Sequence, residues 1–487
     1  MNLDRSARPL DVRFLGAAMA CALLAGVASA QPARTIRSAP PAASAAPAAT
    51  RTLAQPIRVN QTLPPASVDF YLTVLHHNDG ESRLLGAGPG ALANFGGVAR
   101  FKTLADNLRA AALTFPPGPE AKGSVFISSG DNFLAGPEFT VSLNRGTLPY
   151  FDTLAMDLIG YDAVTIGNHE FDFGPDVTRD FIAGFTGPFR FITANLDFTG
   201  EPGLQAFVNS GRLAKSTVVT VAGRQIGIIG ATTERLPFIS SPRNVVVDPN
   251  VRAAVQAEAD RLTNLGVNII ILSSHLQSLT EEYSLVPQLR NVDLVIAGGG
   301  SELLANPSSV LVPGDTAFGR PDLGGAGYPR WNTDANARQV PIVATGDLYK
   351  YIGRLVAGFD AAGNLISVDP VSGPVRVSGV APDAVTPDAT MLAQVTTPVQ
   401  AGVTALQQNI IGVTQVGLDG TRVNIRARET NLGNVAADSL LWQATLVAPQ
   451  FGAPLPDVGV QNSGGIRNNN VIGPGNVSEF DTFSILA

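Results

Sequence analysis

The chain has 487 residues, of which 45% are hydrophobic and 15% are charged, and its formal net charge is -7 at pH 7. This length permits two or three domains with a large buried core, and the composition is typical of a globular protein. The acidic balance argues against nucleic-acid partners and general binding to anionic membranes, because it offers no basic excess, but it is compatible with a small phosphorylated substrate beside bound metal.

The first 30 residues have the pattern of a cleavable export signal. Three arginines precede an apolar run over residues 14–27, and Ala-Ser-Ala at residues 28–30 forms a cleavage site. A membrane anchor is the alternative, but the run is too short to span a bilayer comfortably. Cys21 is the only cysteine, so the mature protein is expected to have no disulfide bond. We therefore expect a periplasmic or secreted protein with no stable membrane span after signal cleavage.

Residues 31–66 are rich in Ala and Pro and are interpreted as a disordered or extended linker, because they cannot bury a core. Over residues 67–357, apolar runs typical of strands alternate with amphipathic helical segments, which is an α/β pattern. The predicted strands cover 71–75, 125–127, 163–166, 268–272 and 294–296, and the predicted helices cover 97–111, 148–159 and 251–265.

The remaining sequence is predicted to contain a connector and a second domain. Residues 358–386 hold short Val-rich runs with Gly and Pro, which predicts small strands and the connector. Residues 387–487 are predicted to form the C-terminal domain. It would contain a helix over 388–411 that Pro398 kinks or breaks, a second helix over 433–445 and a strand near Val458.

Each of the five predicted strands is followed by side chains that bind metals or transfer protons. Residues placed at the ends of adjacent strands are how an α/β sheet builds a site. Carboxylate, amide and imidazole groups without Cys indicate a metal centre with mixed oxygen and nitrogen ligands. The candidate ligands are Asp79, Glu81, Asp131, Asn168, His275 and Glu302. His169 and Asp172 are predicted to form a dyad beside the metals, whereas His76 and His77 are expected to support the site from the end of the first strand.

Such a set suits the hydrolysis of a phosphate ester. Two divalent ions would activate water and bind the phosphate oxygens, and a His held by a carboxylate would act as general acid. The blocks LTVLHHNDGES, SSGDNFLAG, IGNHEFDFG, SSHLQ and DLVIAGGGSE resemble, in order and spacing, one known domain. It is the calcineurin-like metallophosphoesterase domain of the bacterial periplasmic 5'-nucleotidase, UDP-sugar hydrolase and 2',3'-cyclic phosphodiesterase family.

The C-terminal segments LDGTRVNIRARETNLGNVAADSL and VGVQNSGGIR are similar to the substrate domain of the same family. The resemblance implies a four-layered α/β/β/α sandwich followed by a smaller α+β C-terminal domain. It also implies two divalent metal ions, with Mn, Mg, Ca and Zn as candidates. The positions that match phosphate or nucleoside binding in the family are Arg426, Asn462, Gly464 and Arg467.

Two metal motifs depart from the family pattern. The D-x-H motif reads Asp79-Gly80-Glu81, and the G-H-x-H motif reads Gly299-Gly300-Ser301-Glu302, so two imidazoles are lost and two carboxylates are gained. The four carboxylates in the resulting set offset the charge of two divalent ions. We therefore favour a re-tuned site over an inactive one, with a preference shifted from Zn²⁺ toward Mn²⁺, Mg²⁺ or Ca²⁺.

The chain ends at DTFSILA, which is interpreted as a strand, before the aromatic residues that hold the base in the family. We therefore expect a truncated C-terminal domain, and the choice among nucleotidase, cyclic phosphodiesterase and sugar-nucleotide hydrolase stays open, as does the oligomeric state. The main hypothesis is an exported metal-dependent phosphoesterase that hydrolyses 5'-nucleotides or related esters with metal-activated water and a His–Asp dyad. The alternative is a non-catalytic metal- or nucleotide-binding protein on the same fold, suggested by Gly300 and disfavoured by the retained dyad.

Overall fold

The computed structural model of the protein describes residues 67–486. The predicted export signal, 1–30, and the predicted linker, 31–66, lie outside these residues. Two large β-sheets lie face to face between layers of helices, and a smaller α+β unit follows toward the C-terminus. Within residues 67–486, no helix combines the length and the apolar composition needed to cross a membrane.

The first sheet has eight strands with a parallel centre. Its strands are β1 (Phe70–His77), β2 (Ala121–Ser128), β3 (Ala163–Thr165), β4 (Arg190–Ile192), β6 (Leu213–Ala214), β14 (Tyr351–Phe359), β15 (Leu365–Val368) and β16 (Gly373–Arg376). They lie in the order β15-β14-β1-β2-β3-β4-β6, and β16 also pairs with β14. β14 continues past residue 357, which is the predicted end of the catalytic domain. β15 and β16, which come from the predicted connector, pair with β14 in the same sheet.

The second sheet has six strands. They are β7 (Ser216–Val221), β8 (Arg224–Thr232), β10 (Ile269–His275), β11 (Leu294–Gly298), β12 (Arg330–Thr333) and β13 (Gln339–Val343). Their order is β12-β13-β11-β10-β8-β7, with a parallel centre and antiparallel edges. Three small pairs complete the strands: β5 (Leu196–Asp197) with β9 (Val246–Val247), β17 (Ile410–Thr414) with β20 (Gly475–Ser478), and β18 (Leu418–Asp419) with β19 (Val471–Ile472).

Helices cover the outer faces of both sheets. Those of the first part of the chain are α1 (Val98–Ala112), α2 (Pro137–Asn144), α3 (Phe151–Ile159), α4 (Gly174–Ala183), α5 (Pro202–Ser210), α6 (Leu236–Ile239), α7 (Val251–Asn264) and α8 (Leu279–Leu285). Those that follow are α9 (Ala389–Met391), α10 (Thr397–Gln408), α11 (Arg422–Ala427), α12 (Asn431–Val447) and α13 (Glu479–Ile485). Short 3₁₀ turns lie at Gly90–Asn94, His169–Phe171, Val286–Gln288, Pro321–Leu323, Ala448–Phe451 and Ser463–Gly465.

Alternation along the strands explains the layers. In β1, Phe70, Leu72 and Val74 belong to the core shared with the second sheet, whereas Leu75 packs among the helices on the opposite face. The apolar residues of β10 are buried on both faces, because the side chains of α7 cover the second sheet from outside. The predicted α/β/β/α architecture is confirmed, and every predicted strand and helix of residues 67–357 coincides with an observed one, with its ends displaced by about four residues at most.

The C-terminal unit has a small core of its own, and the main corrections to the predicted elements lie in this unit and in the helix that leads into it. The helix predicted over 388–411 ends at Gln408, and a π-helical turn, Leu392–Thr396, interrupts it just before Pro398, whose missing N–H weakens the regular hydrogen-bond ladder. The strand predicted near Val458 is wrong, since residues 452–462 are irregular.

The strand predicted for DTFSILA is also wrong, because this segment forms most of α13. Ser478 and Asp481 form a capping box at its start, in which each side chain accepts a hydrogen bond from the backbone N–H of the other residue. This local signal favours a helix over the strand that the family resemblance implied.

Candidate metal centre

The candidate ligands lie where strands of the two sheets end side by side. The Thr165 hydroxyl of β3 donates a hydrogen bond to Ser273 of β10, with 2.6 Å between the two oxygens, so the sheets are in direct contact here. Because the strands run parallel, the loops that follow them emerge at the same edge. The residues that these loops and strand ends carry include Asp79, Asp131, Asn168 and His275.

Asp79, Asp131 and His275 form a buried group of metal-ligating side chains. One ligand atom from each residue lies within 4.8 Å of the other two, and all three residues are at most 2% exposed. His275 Nε2 is 2.9 Å from Asp131 Oδ2 and 3.1 Å from Asn168 Oδ1. The structure thus brings four of the six candidate ligands together.

The second ring nitrogen of His275 determines how the imidazole faces this group. His275 Nδ1 is 2.7 Å from the backbone carbonyl oxygen of Ser129. Because a carbonyl oxygen only accepts hydrogen bonds, Nδ1 carries a proton and Nε2 is the atom turned toward the carboxylates. A histidine that binds metal through one nitrogen is commonly held in this way through the other.

Burial and neighbouring charges shift the pKa values of the group. Burial opposes protonation of His275, but the carboxylates of Asp131 and Asp79 raise its pKa to about 10. Burial raises the pKa of Asp79 to about 7. At Asp131 burial is outweighed by the charges of His275 and His169, which lower the pKa to about 2. The proton on His275 Nε2 therefore lies among the carboxylates of Asp79 and Asp131 and the amide oxygen of Asn168. A divalent cation would take the place of this proton, and the oxygen and nitrogen donors of the group fit such a cation.

His169 and Asp172 form the predicted dyad beside this group. His169 Nδ1 is 2.6 Å from Asp172 Oδ2, and His169 Nε2 is 3.8 Å from Asp131 Oδ2. Ser240 donates a hydrogen bond to the other Asp172 oxygen at 2.8 Å, which orients the carboxylate. Burial opposes protonation of the imidazole, but the charges of Asp172 and Asp131 raise the pKa of His169 to about 10.

Glu81 and Glu302 lie outside the three-residue group. The Glu81 backbone N–H donates to the Asp131 carbonyl at 3.0 Å, and burial raises the pKa of the Glu81 carboxyl, although the His169 charge opposes this. Glu302 turns toward the start of α8, where its Oε1 accepts a hydrogen bond from the Leu279 backbone N–H at 3.1 Å. Its other oxygen would lie 1.8 Å from a Cβ atom built on Gly300, so the carboxylate fills the space of a side chain at that position.

His76 and His77 are buried at the end of β1. His76 Nε2 is 2.8 Å from the Tyr328 hydroxyl, and His77 Nδ1 is 3.2 Å from the Tyr161 hydroxyl. Burial lowers the pKa of each to about 3, so both imidazoles are neutral at ordinary pH. Their contacts place them in the core behind the ligand group.

Glu170 lies inside the IGNHEFDFG block but was not among the predicted site residues. Its fully buried carboxylate accepts hydrogen bonds from the backbone N–H groups of Gly167, Asp131 and Asn132, at 2.6, 3.1 and 2.8 Å. Asp131 has a φ of 52°, which is costly for a residue with a side chain. Glu170 therefore ties the loop after β3 to the strained loop after β2.

Replacing Glu170 by glutamine is expected to lower the free energy of unfolding by about 2–5 kcal/mol, because the amide NH₂ would face backbone donors and leave them without an acceptor. Urea unfolding followed by circular dichroism measures the change. Glu234→Gln on the exposed surface is the matched control. Equal stabilities of the two variants would contradict this role of Glu170.

Gln277 was also not identified as a site residue. Its Nε2 donates to Asn168 Oδ1 at 2.5 Å, and its φ of 86° is unusual for a residue with a side chain. Its position just after His275, at the end of a strand, was the available sequence signal.

The four candidate substrate residues lie in the C-terminal unit. Asn462 accepts a hydrogen bond from the Gly465 backbone N–H at 2.7 Å and thereby caps the turn that contains Gly464. Arg467 is exposed, and its charge is among those that oppose the burial-driven rise in the pKa of Glu81. Arg426 is exposed on α11. Of the four, Arg467 therefore has an electrostatic connection to the loop that carries Asp79 and Glu81.

Comparisons with known proteins agree on one family. A family model described as the 5'-nucleotidase C-terminal domain matches residues 410–487. A 5'-nucleotidase of Mus musculus is 30% identical over 413 residues, which is 83% of this chain and 65% of the relative. A 5'-nucleotidase of Bos taurus is 30% identical over 433 residues, which is 87% of this chain and 69% of the relative. The chain thus spans 65% of the length of the first relative and 69% of the second.

A solved structure gives the same result. The 5'-nucleotidase precursor from Thermus thermophilus has 30% sequence identity and a TM-score of 0.64, with 85% of this chain and 73% of that chain covered. The similarity therefore extends over both the sandwich and the C-terminal unit.

Proposed function

The chain belongs to the 5'-nucleotidase family, and on that premise we propose that it is an exported, metal-dependent phosphoesterase that hydrolyses 5'-nucleotides or related phosphate esters. The observation that carries the proposal is the buried cluster of Asp79, Asp131, His275 and Asn168 beside the His169–Asp172 dyad. We further propose that residues 67–357 form the catalytic domain, 358–386 a connector and 387–487 the substrate domain.

The cluster would hold divalent cations, with Mn, Mg, Ca and Zn as candidates. When bound, such ions lower the pKa of water and offset the negative charge of a phosphate ester. Carboxylate and amide oxygens in the cluster favour the harder ions of this set, whereas His275 is also a good ligand for Zn²⁺.

His169 is the proposed general acid. Its Nδ1–H is held by Asp172, so the Nε2–H that faces Asp131 is free to donate to the oxygen that leaves phosphorus. Because the neighbouring carboxylates raise the pKa of His169 to about 10, the imidazole is protonated at neutral pH and ready for this step. Asp172 and Ser240 keep the ring in orientation.

The C-terminal unit is proposed to place the substrate. Arg467 and Arg426 would bind its phosphate or its nucleoside, because a guanidinium offers a planar fork of donors. The turn around Gly464, capped by Asn462, would let the backbone approach the nucleoside closely.

Phosphate release from AMP, UDP-glucose, 2',3'-cyclic AMP and p-nitrophenyl phosphate tests the proposal. The protein is stripped of metal and each candidate ion is then supplied in turn. Turnover restored by at least one ion supports a phosphoesterase, and the substrate ranking gives its class. Tight metal binding without turnover on any of the four substrates would instead favour the non-catalytic binding protein.

Metal binding is expected to release protons and to strengthen as the pH rises. His275 keeps a proton up to a pKa of about 10 in the metal-free centre and must lose it from Nε2 to bind a cation. Below that pH, the affinity of the centre for the cation should rise about tenfold per pH unit for each proton released.

Calorimetric titration with Mn²⁺ in buffers of different ionisation enthalpy counts the protons that are released. The His275→Gln variant should release about one proton fewer. Binding that does not change between pH 6 and pH 8.5 would exclude His275 as a ligand.

A further inference from the structure

The side chain of Gln277 points into the candidate metal centre. Its Nε2 lies 2.5 Å from Asn168 Oδ1, and the same Asn168 oxygen lies 3.1 Å from His275 Nε2. A Cβ atom built on Gly299 would come within 2.8 Å of His275 Nε2 and 2.9 Å of Gln277 Nε2. The Gln277 amide and the His275 imidazole therefore border the same small volume.

The backbone holds Gln277 in this position at a cost. Its φ of 86° lies in the left-handed region, where a residue with a side chain is strained by about 1–3 kcal/mol. Two contacts fix the residues that follow. The Ser278 hydroxyl accepts from the Thr280 backbone N–H at 3.2 Å, and Glu302 accepts from the Leu279 backbone N–H at 3.1 Å. Strain maintained by specific contacts beside a candidate site indicates a functional constraint.

The neighbouring loop after β11 contributes no side chain to the three-residue ligand group. Gly300 has no side chain, and the Glu302 carboxylate fills the space that one would occupy. Glu302 itself is engaged with Leu279 and lies outside the three-residue ligand group. The loop after β11 therefore reaches the centre through its backbone, where the Gly299 N–H donates to Asp79 Oδ2 at 3.1 Å, close to the Gln277 amide and the His275 imidazole.

We propose that Gln277 is a metal ligand of this centre and that Glu302 is a positioning residue that holds Gln277 through the start of α8. In the structure the Gln277 NH₂ donates to Asn168 Oδ1. A half-turn about its last side-chain bond exchanges Nε2 for Oε1, so that the two amide oxygens face the same cation. Amide oxygens are neutral, hard ligands that suit Mn²⁺, Mg²⁺ and Ca²⁺. This inference rests on the proposed metal centre.

The test compares Gln277→Leu and Gln277→Glu with the wild-type full chain. Mn²⁺ affinity is measured by calorimetry, and Co²⁺ absorption spectra report the coordination. Gln277→Leu should raise the Kd for Mn²⁺ about 10- to 100-fold and change the Co²⁺ spectrum, whereas Gln277→Glu, which keeps an oxygen, should bind at least as tightly as wild type. Glu302→Gln should weaken Mn²⁺ binding about 3- to 10-fold with an unchanged Co²⁺ spectrum. Gln288→Leu, on the exposed 3₁₀ turn after α8, is the matched control.

A role as hydrogen-bond donor to Asn168 predicts the opposite order. An ionised glutamate at position 277 cannot donate to Asn168. In that case the Gln277→Glu variant would bind Mn²⁺ as weakly as the Gln277→Leu variant, or more weakly. That result, or a Kd and a Co²⁺ spectrum of Gln277→Leu equal to those of wild type, would overturn the proposal. If Gln277→Leu does not fold, Gln277→Glu still decides between the two roles. Binding of Mn²⁺ and Co²⁺ to the wild-type chain is measured first. If the wild-type chain bound neither ion, the metal centre itself would be rejected, which is a different outcome from those of the Gln277 variants.

Discussion

Replacing His169 by alanine is expected to reduce kcat for nucleotide hydrolysis by about 10²- to 10⁴-fold, with little change in metal content. The reason is the position of the imidazole: one nitrogen is fixed by Asp172 at 2.6 Å, and the other faces the buried ligand group. Loss of the ring removes a positioned proton donor but leaves Asp79, Asp131 and His275 in place. Steady-state phosphate release, with metal content measured on the same samples, checks both parts of the prediction.

The leaving group provides an internal control for His169. A nucleoside 5'-oxygen is a poor leaving group and depends on protonation, whereas p-nitrophenolate leaves without it. The loss of kcat in His169→Ala should therefore be at least about tenfold smaller for p-nitrophenyl phosphate than for AMP. Asp172→Asn, which keeps the imidazole but weakens its orientation, should show an intermediate loss. Equal losses for the two substrates would exclude leaving-group protonation by His169.

Replacing Asp131 by asparagine is expected to weaken divalent-metal binding by about 100-fold or more and to abolish turnover at micromolar metal. Asp131 contacts His275 at 2.9 Å, approaches His169 Nε2 at 3.8 Å and accepts from the His169 backbone N–H at 2.8 Å. It is therefore the carboxylate that links the ligand group to the dyad. Calorimetric titration with Mn²⁺ gives the change in affinity.

Asp293→Asn is the matched control for Asp131→Asn. Asp293 is also buried, but it lies just before β11, at the opposite edge of the second sheet from the ligand group, where it accepts from the Ile270 backbone N–H at 2.8 Å. Its replacement should lower stability without changing the Kd for Mn²⁺. If both variants bound Mn²⁺ as wild type does, Asp131 would not be a ligand.

The sequence predicts much of the sandwich because its strands are marked by local patterns. Buried β-branched runs, such as the one in β10, and their polar ends are visible without tertiary information. The parallel order then places the ends of neighbouring strands at one edge, which is why Asp79, Asp131, Asn168 and His275 could be grouped in advance.

The remaining features depend on interactions that a linear pattern does not encode. Glu302 occupies a motif position that suggests a ligand, and its contact with the Leu279 backbone N–H at the start of α8 is one that the motif does not indicate. Glu170 acts through backbone N–H groups of two separate loops, which only the folded chain brings together. The strand predicted for DTFSILA was wrong for another reason, because it was taken from the family resemblance and the capping signal of Ser478 and Asp481 was not considered.

The interrupted helix that leads out of the sandwich has a consequence for the exchange of C-terminal units between relatives. Met391 and Val395, in α9 and the π-helical turn, and Val399 and Val403 in α10 are buried in the core that lies beneath the first sheet. A chimaera joined at residue 386 would replace these four side chains and put about 1.5–3 kcal/mol of packing at risk for each. A junction after Gln408 leaves that core intact, so the exchange of C-terminal units between relatives is best attempted at Asn409.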